Sequence, residues 1–203
     1  MDIYQIWITH NRPWTRFEVL CFIILFLISA VVTGLLWYHH RICASQAIAA
    51  LLLVVFLTVV YASTVFTRTP GTRQYQLELF WSWKEILGIP PTGRMGSAGS
   101  AVELLQENIL NMILLFPAGV LLAFMTKHKI RWYQAALVGA LISTGIEVSQ
   151  LLLCRGLFEW DDIIHNTIGC VVGSQVGCWV RRSRGLSGSA PRKNGKEDKI
   201  WRF

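Results

Sequence analysis

The chain reads as an all-α, polytopic transmembrane bundle of about five helices joined by one longer loop. Three observations predict it. Of 203 residues, 53% are hydrophobic and only 15% charged, whereas soluble domains carry roughly 25% charged residues. The apolar residues gather in five runs, approximately 17–38, 44–66, 108–126, 133–153 and 163–180. Each reaches or approaches the ~20 residues that a helix needs to cross a ~30 Å hydrocarbon core. Nine tryptophans suit a protein with two membrane interfaces to anchor.

The first run is too long for a signal-peptide core. It ends in Trp37-Tyr38-His39-His40-Arg41 with no small-residue cleavage site, so it is read as a membrane helix. With the second run it forms an N-terminal unit, 1–66. Residues 67–107 make the long loop, whose charges balance. Phe80, Trp83 and Leu87 fall near one helical face, with Trp81 beside them, so 76–88 is expected to form a short helix on the membrane interface. Pro90-Pro91 ends it, and GRMGSAGS reads as a turn with no phosphate-loop pattern. Residues 108–180 form a three-helix core.

The tail 181–203 holds eight Lys/Arg against two acids, a net +6 of the chain's +7. It is expected to be disordered, cytoplasmic and near anionic lipid rather than nucleic acid. Lys127, Lys129, Arg131 and Arg41 fall on the same side as this tail. The positive-inside rule therefore puts the C-terminus in the cytoplasm, and an odd number of crossings puts the N-terminus outside. Arg12 and Arg16 count against the latter.

The polar residues inside the apolar runs carry the functional information. A charge at mid-bilayer costs roughly 2.5–3.5 kcal/mol on insertion scales, and persists where it faces protein or water. In the fourth run Ser143, Glu147 and Gln150 share one helical face. In the third, Glu103, Glu107 and Asn111 line up with Asn108 nearby, and Pro117 then interrupts the run. The fifth opens with Asp161, Asp162 and Asn166, and continues as Gly169, Gly173 and Gly177, a small-residue track that allows close helix approach. Arg155 precedes this cluster, and Arg68 ends the second run where it can join it.

The five cysteines are scattered with no C-x-x-C pair, which reads as apolar filling rather than a disulfide frame or a zinc site. No metal or cofactor is expected. Gly-x-Ser-x-Gly, H-E-x-x-H and Walker patterns are all absent from the sequence.

Three blocks together resemble the VanZ-like family of bacterial membrane proteins. NMILLFPAGVLL is similar to the family's Asn, six-residue step to Pro, then x-Gly, and carries Asn111, Phe116, Pro117 and Gly119. STGIEVSQ is similar to its Ser-x-x-x-Glu-x-x-Gln, with Ser143, Glu147 and Gln150. RGLFEWDDIIHNTIGCVVG is similar to its Arg, acidic cluster and Asn-Thr-x-Gly-x-x-x-Gly, with Arg155, Asp161, Asp162, Asn166, Thr167, Gly169 and Gly173. The family often has Asp where this chain has Glu159, which sets that residue apart. The blocks span about 107–177, leaving the first helix and the tail outside.

The resemblance implies a multi-pass protein of the bacterial cell membrane. The family is named for a protein linked to low-level resistance to the glycopeptide teicoplanin. Two readings follow. In the first, the outward polar residues bind a lipid-linked cell-wall precursor or a lipoglycopeptide, with membrane lipids as partners. Arg155 and Arg68 would pair with phosphate or carboxylate. Asn111, Gln150 and Asn166 would hydrogen-bond the headgroup, while Glu147 and Asp162 shape the local field. In the second, the protein is an enzyme on such a lipid, with Glu147 as base and Asp161/Asp162 as acid or cation ligands. A proton-carrying transporter is disfavoured by the absence of an inverted repeat.

Overall fold

The structure is a computed structural model that describes residues 14–89 and 101–183. Helix α1 (Arg16–Tyr38) leads to α2 (Ala44–Tyr61), which continues as a π-helical turn, Ala62–Phe66. Strand β1 (Gln74–Gln76) and the short helix α3 (Trp81–Ile86) follow. Helices α4 (Ala101–Leu114), α5 (Phe116–Met125) and α6 (Trp132–Leu153), strand β2 (Leu157–Glu159) and helix α7 (Trp160–Ser183) complete the order. Arg12, Arg94, Pro90-Pro91, the GRMGSAGS stretch and the tail beyond 183 lie outside the described residues.

Among the described residues, four helical segments are long and apolar enough to cross a membrane: α1, α2 with its π turn, α4 through α5, and α6. Their mean hydropathies fall in that order, 3.0, 2.5, 2.0 and 1.7. The expected fifth span is a 24-residue helix that is not in this apolar group. Its acids, His165, Asn166, Gln175 and the closing Arg181-Arg182-Ser183 dilute its hydropathy. It instead buries itself among α4, α5 and α6.

Local signals explain the helix ends. The Thr15 hydroxyl accepts the Glu18 N–H, and the Glu18 carboxylate accepts the Thr15 N–H, which closes a capping box on α1. Leu115 breaks the third run into α4 and α5 with φ −99° and ψ 4°. Pro117 then falls in the first turn of α5, where its missing N–H leaves no helical bond unmade. The expected interruption at Pro117 is thus a break two residues earlier. The third helix also begins at Ala101, seven residues ahead of the apolar run, because Leu104 and Asn108 turn their face to the protein.

The glycine track sets the direction of the last helix. A Cβ on Gly169 would fall 1.8 Å from the Met112 carbonyl oxygen, and one on Gly173 2.1 Å from that of Phe116. One on Gly177 would fall 2.9 Å from the Val120 oxygen. Partners advance by four residues on both sides, so α7 runs parallel to α4–α5 with backbones in contact, a geometry that only glycine permits. Leu115, Ala118, Ile146, Cys170, Val60 and Val65 form the core between these helices.

At one end of the bundle, Arg181 donates to the carbonyls of Ala123, Thr126 and Lys127. Gln46 Nε2 donates to the Met125 carbonyl at 2.9 Å. The starts of α2 and the ends of α5 and α7 therefore meet there, together with Lys127, Lys129 and Arg131. The polar ends of α4, α6 and α7 gather at the other.

The loop after the π turn holds a helix shorter than the expected 76–88. Its helix is six residues long, with Trp81 and Ser82 buried, while Phe80 and Leu87 are 49% and 71% exposed. Polar bonds to α7 decide this orientation over the apolar face. Strand β1 also pairs in parallel with β2, Tyr75 opposite Phe158, a small sheet within an otherwise helical protein.

Candidate functional site

Glu147 is 2% exposed and turns away from lipid toward β2, where its Oε2 accepts the Glu159 backbone N–H at 3.2 Å. The rest of its stripe reaches two other elements. Ser143 Oγ accepts from Asn166 Nδ2 at 3.0 Å, and Gln150 Nε2 donates to the Thr64 carbonyl at 3.0 Å. One face of α6 thus ties α7, β2 and the π turn together. The π turn matters because its wider coil re-aims carbonyls that a regular helix would keep to itself.

The acids of α7 hold the loop and α4. Asp161 Oδ1 accepts the Phe80 N–H at 2.6 Å, and its Oδ2 accepts the Ser82 hydroxyl at 2.9 Å and N–H at 3.4 Å. Asn108 Nδ2 donates to the same Ser82 oxygen at 3.2 Å. Asp162 Oδ1 accepts from Asn111 Nδ2 at 2.6 Å. Two loop tryptophans complete the closure: Trp81 Nε1 donates to Glu159 Oε2 at 3.3 Å, and Trp83 Nε1 to His165 Nε2 at 2.9 Å. Four carboxylates, Glu147, Glu159, Asp161 and Asp162, therefore lie within one polar end under a short plug. Among the described residues no three His, Cys, Asp or Glu side chains converge to hold a metal ion.

The two arginines occupy the rim. Arg155 Nη1 reaches the Val65 and Phe66 carbonyls at 3.5 Å each, and its guanidinium lies 5.9 Å from the centre of the Phe66 ring. Its Nε is buried without a partner among the described residues. Arg68 is exposed and its charge reaches Glu147 and Asp162. Its side chain makes no hydrogen bond or ion pair within the described residues. Its Nη1 lies against Gly156, where a Cβ would come within 2.7 Å of it and 3.2 Å of Gln150 Oε1. Gly156 has φ +150°, a backbone conformation that favours glycine there.

All eight residues expected from the sequence fall at this end. Asn111 and Asp162 bond each other directly. Glu147, Gln150, Asp161 and Arg155 bond residues that sequence reasoning did not single out for the site, Glu159, Thr64, Ser82 and the Phe66 carbonyl, and Asn166 bonds Ser143, which it did place on the polar face of α6. Glu159, set apart in the sequence, lies within the cluster. The Trp81-Ser82-Trp83 triplet carries a signal that was there to read, since two indoles flanking a hydroxyl favour burial with polar partners.

A sequence-family profile described as VanZ/LLP1 matches residues 46–181. The chain belongs to the VanZ/LLP1 family. No curated protein and no solved structure matches it. The VanZ/LLP1 portion begins near the start of α2 and ends within the last turn of α7. It includes the π turn and the plug as well as the three motif blocks, so the whole polar end is part of the family fold. Helix α1 lies outside it.

Proposed function

We propose that this VanZ/LLP1 membrane protein binds the anionic group of a lipid-linked or lipidated ligand at its polar end, on the extracytoplasmic side. Through that binding it contributes to teicoplanin-type glycopeptide resistance or to cell-envelope maintenance. The observation that carries this reading is Arg68: an exposed guanidinium with no partner within the described residues, held at the rim beside Gly156 and Gln150, with Arg155 close to the same π turn. Phosphate and carboxylate are the groups that such paired forks bind best. The side is supported by charge. Lys127, Lys129, Arg131 and Arg181 sit at the opposite end of the bundle, which the positive-inside rule assigns to the cytoplasm.

The test is lipid retention by purified protein, with phosphatidic acid offered against phosphatidylcholine, alongside teicoplanin susceptibility of expressing bacteria. Arg68→Gln and Arg155→Gln are expected to erase the preference for the anionic lipid and any protection. Unchanged preference in the double variant sinks the reading.

The gathering of three buried carboxylates, Glu147, Glu159 and Asp161, with the half-buried Asp162 favours one second reading, an enzyme acting on a lipid or lipid-linked cell-wall precursor. Glu147 and Asp162 would be its acid/base pair, and Asp161, with both oxygens occupied by the loop, would position the plug. Turnover of a purified lipid-linked pyrophosphate by the detergent-solubilised protein, lost in Glu147→Gln, separates this reading from binding alone.

A further inference from the structure

Helix α1 packs chiefly on α2, and Glu18 is its one buried residue. The two helices leave a groove of about 520 Å³ between them, walled by Cys21, Phe22, Leu25, Val54, Leu57 and Phe66. The groove is lined almost wholly by apolar side chains and lies between the two most apolar of the described helices. Its acid, Glu18, is engaged by the Thr15 N–H at 2.8 Å.

Phe66 joins this groove to the arginine rim. Its ring stacks edge-on with Phe22 and Tyr61, centroids 5.8 and 5.3 Å apart. The Arg155 guanidinium lies over the same ring, and the Phe66 carbonyl accepts from Arg155. A hydrocarbon-facing cleft and a cation with an unpaired buried N–H therefore share one aromatic side chain. That combination suits an amphiphile: an apolar chain below, an anion above.

We propose that the α1–α2 groove seats a hydrocarbon chain of a phosphate-bearing membrane lipid, whose phosphate lies at Arg155 and Arg68. This rests on the headgroup reading above and adds to it the class of ligand and a role for α1, the helix that the family profile does not cover. Chain binding through α1 means that the site is built from both the family portion and this chain's own N-terminal helix.

The experiment uses the full chain in phosphatidylcholine nanodiscs doped with phosphatidic acid that carries a diazirine midway along one acyl chain. The same diazirine on phosphatidylcholine serves as control. The anionic probe is expected to label residues 17–25 and 54–61 in preference to the lipid-facing side of α6 at Leu137 and Leu141. Arg155→Gln should lower that labelling about tenfold, the value of one charge-assisted hydrogen bond. Cys21→Trp with Leu25→Trp, which fills the groove from its exposed wall, should lower it several-fold. Labelling spread evenly over all lipid-facing helices, with retention still sensitive to Arg155→Gln, overturns the groove and leaves the headgroup site standing. Groove labelling that both probes share and that Arg68→Gln/Arg155→Gln does not alter is ordinary annular lipid, and overturns both. The wild-type labelling map decides the question even if the tryptophan variants fail to fold.

Discussion

Asp161 and Ser82, 79 residues apart in the chain, are joined by two hydrogen bonds, from the Ser82 hydroxyl and from its backbone N–H. With the Phe80 N–H on the other oxygen, a single carboxylate fixes the plug over the polar end. Asp161→Ala leaves these buried donors unmet at about 1–3 kcal/mol each. Hydrogen exchange of residues 74–86 should rise sharply, while the α5–α7 contact stays protected. Exchange at the wild-type level would show that the tryptophans alone hold the plug.

The glycine register predicts a contrast within one protein. Gly169→Ala and Gly173→Ala push a methyl into the backbone oxygens of Met112 and Phe116, and overpacking of this kind costs about 1–3 kcal/mol or more. Gly145 has nothing within 4 Å of its would-be Cβ, so Gly145→Ala should be neutral or slightly stabilising through helix propensity. Thermal unfolding in detergent checks the order, and equal effects at all three positions would contradict the close parallel packing.

Glu147 separates acceptor from charge. Glu147→Gln keeps an oxygen for the Glu159 N–H and should preserve stability, whereas Glu147→Ala strands that N–H and costs about 1–3 kcal/mol. Glu147→Asp, one methylene short, should impair function almost as much as Glu147→Gln. Full retention of lipid preference and resistance by a stable Glu147→Gln protein would remove both proton transfer and ion pairing from the role of this residue.

The Asn111–Asp162 bond, 2.6 Å long, ties α4 to α7 near the rim. A double-mutant cycle of Asn111→Ala and Asp162→Ala, read by thermal stability, should give a coupling of about 0.5–1.5 kcal/mol, the range for a net intramolecular hydrogen bond. A coupling near zero would mean that the two residues act independently of each other.

The sequence carried the helices well, for physical reasons. Long apolar runs declare themselves by composition, and Ser143, Glu147 and Gln150 share a face because 3.6-residue periodicity requires it. Gly169, Gly173 and Gly177 announce a contact surface whatever the partner. The plug was not legible in the same way. Trp81 finds Glu159 and Trp83 finds His165 across about eighty residues of chain, and elements of three to six residues are too short to show a period. The π turn is equally local, one residue wider than the helix it extends. Helix α7 was placed correctly in the chain but is less apolar than a lone span, because half its surface answers to protein.

The match of Gly169, Gly173 and Gly177 to Met112, Phe116 and Val120 bears on how the molecule is made. Helix α7 leaves the ribosome after the other described helices, with acids in its first turn and too little apolar surface to count among the four apolar spans. Its entry into the bilayer must be coupled to docking in a cradle that α4, α5 and α6 have already built. Assembly of the polar end therefore follows the docking of α7, and damage to the cradle should lower the amount of assembled protein rather than merely weaken it.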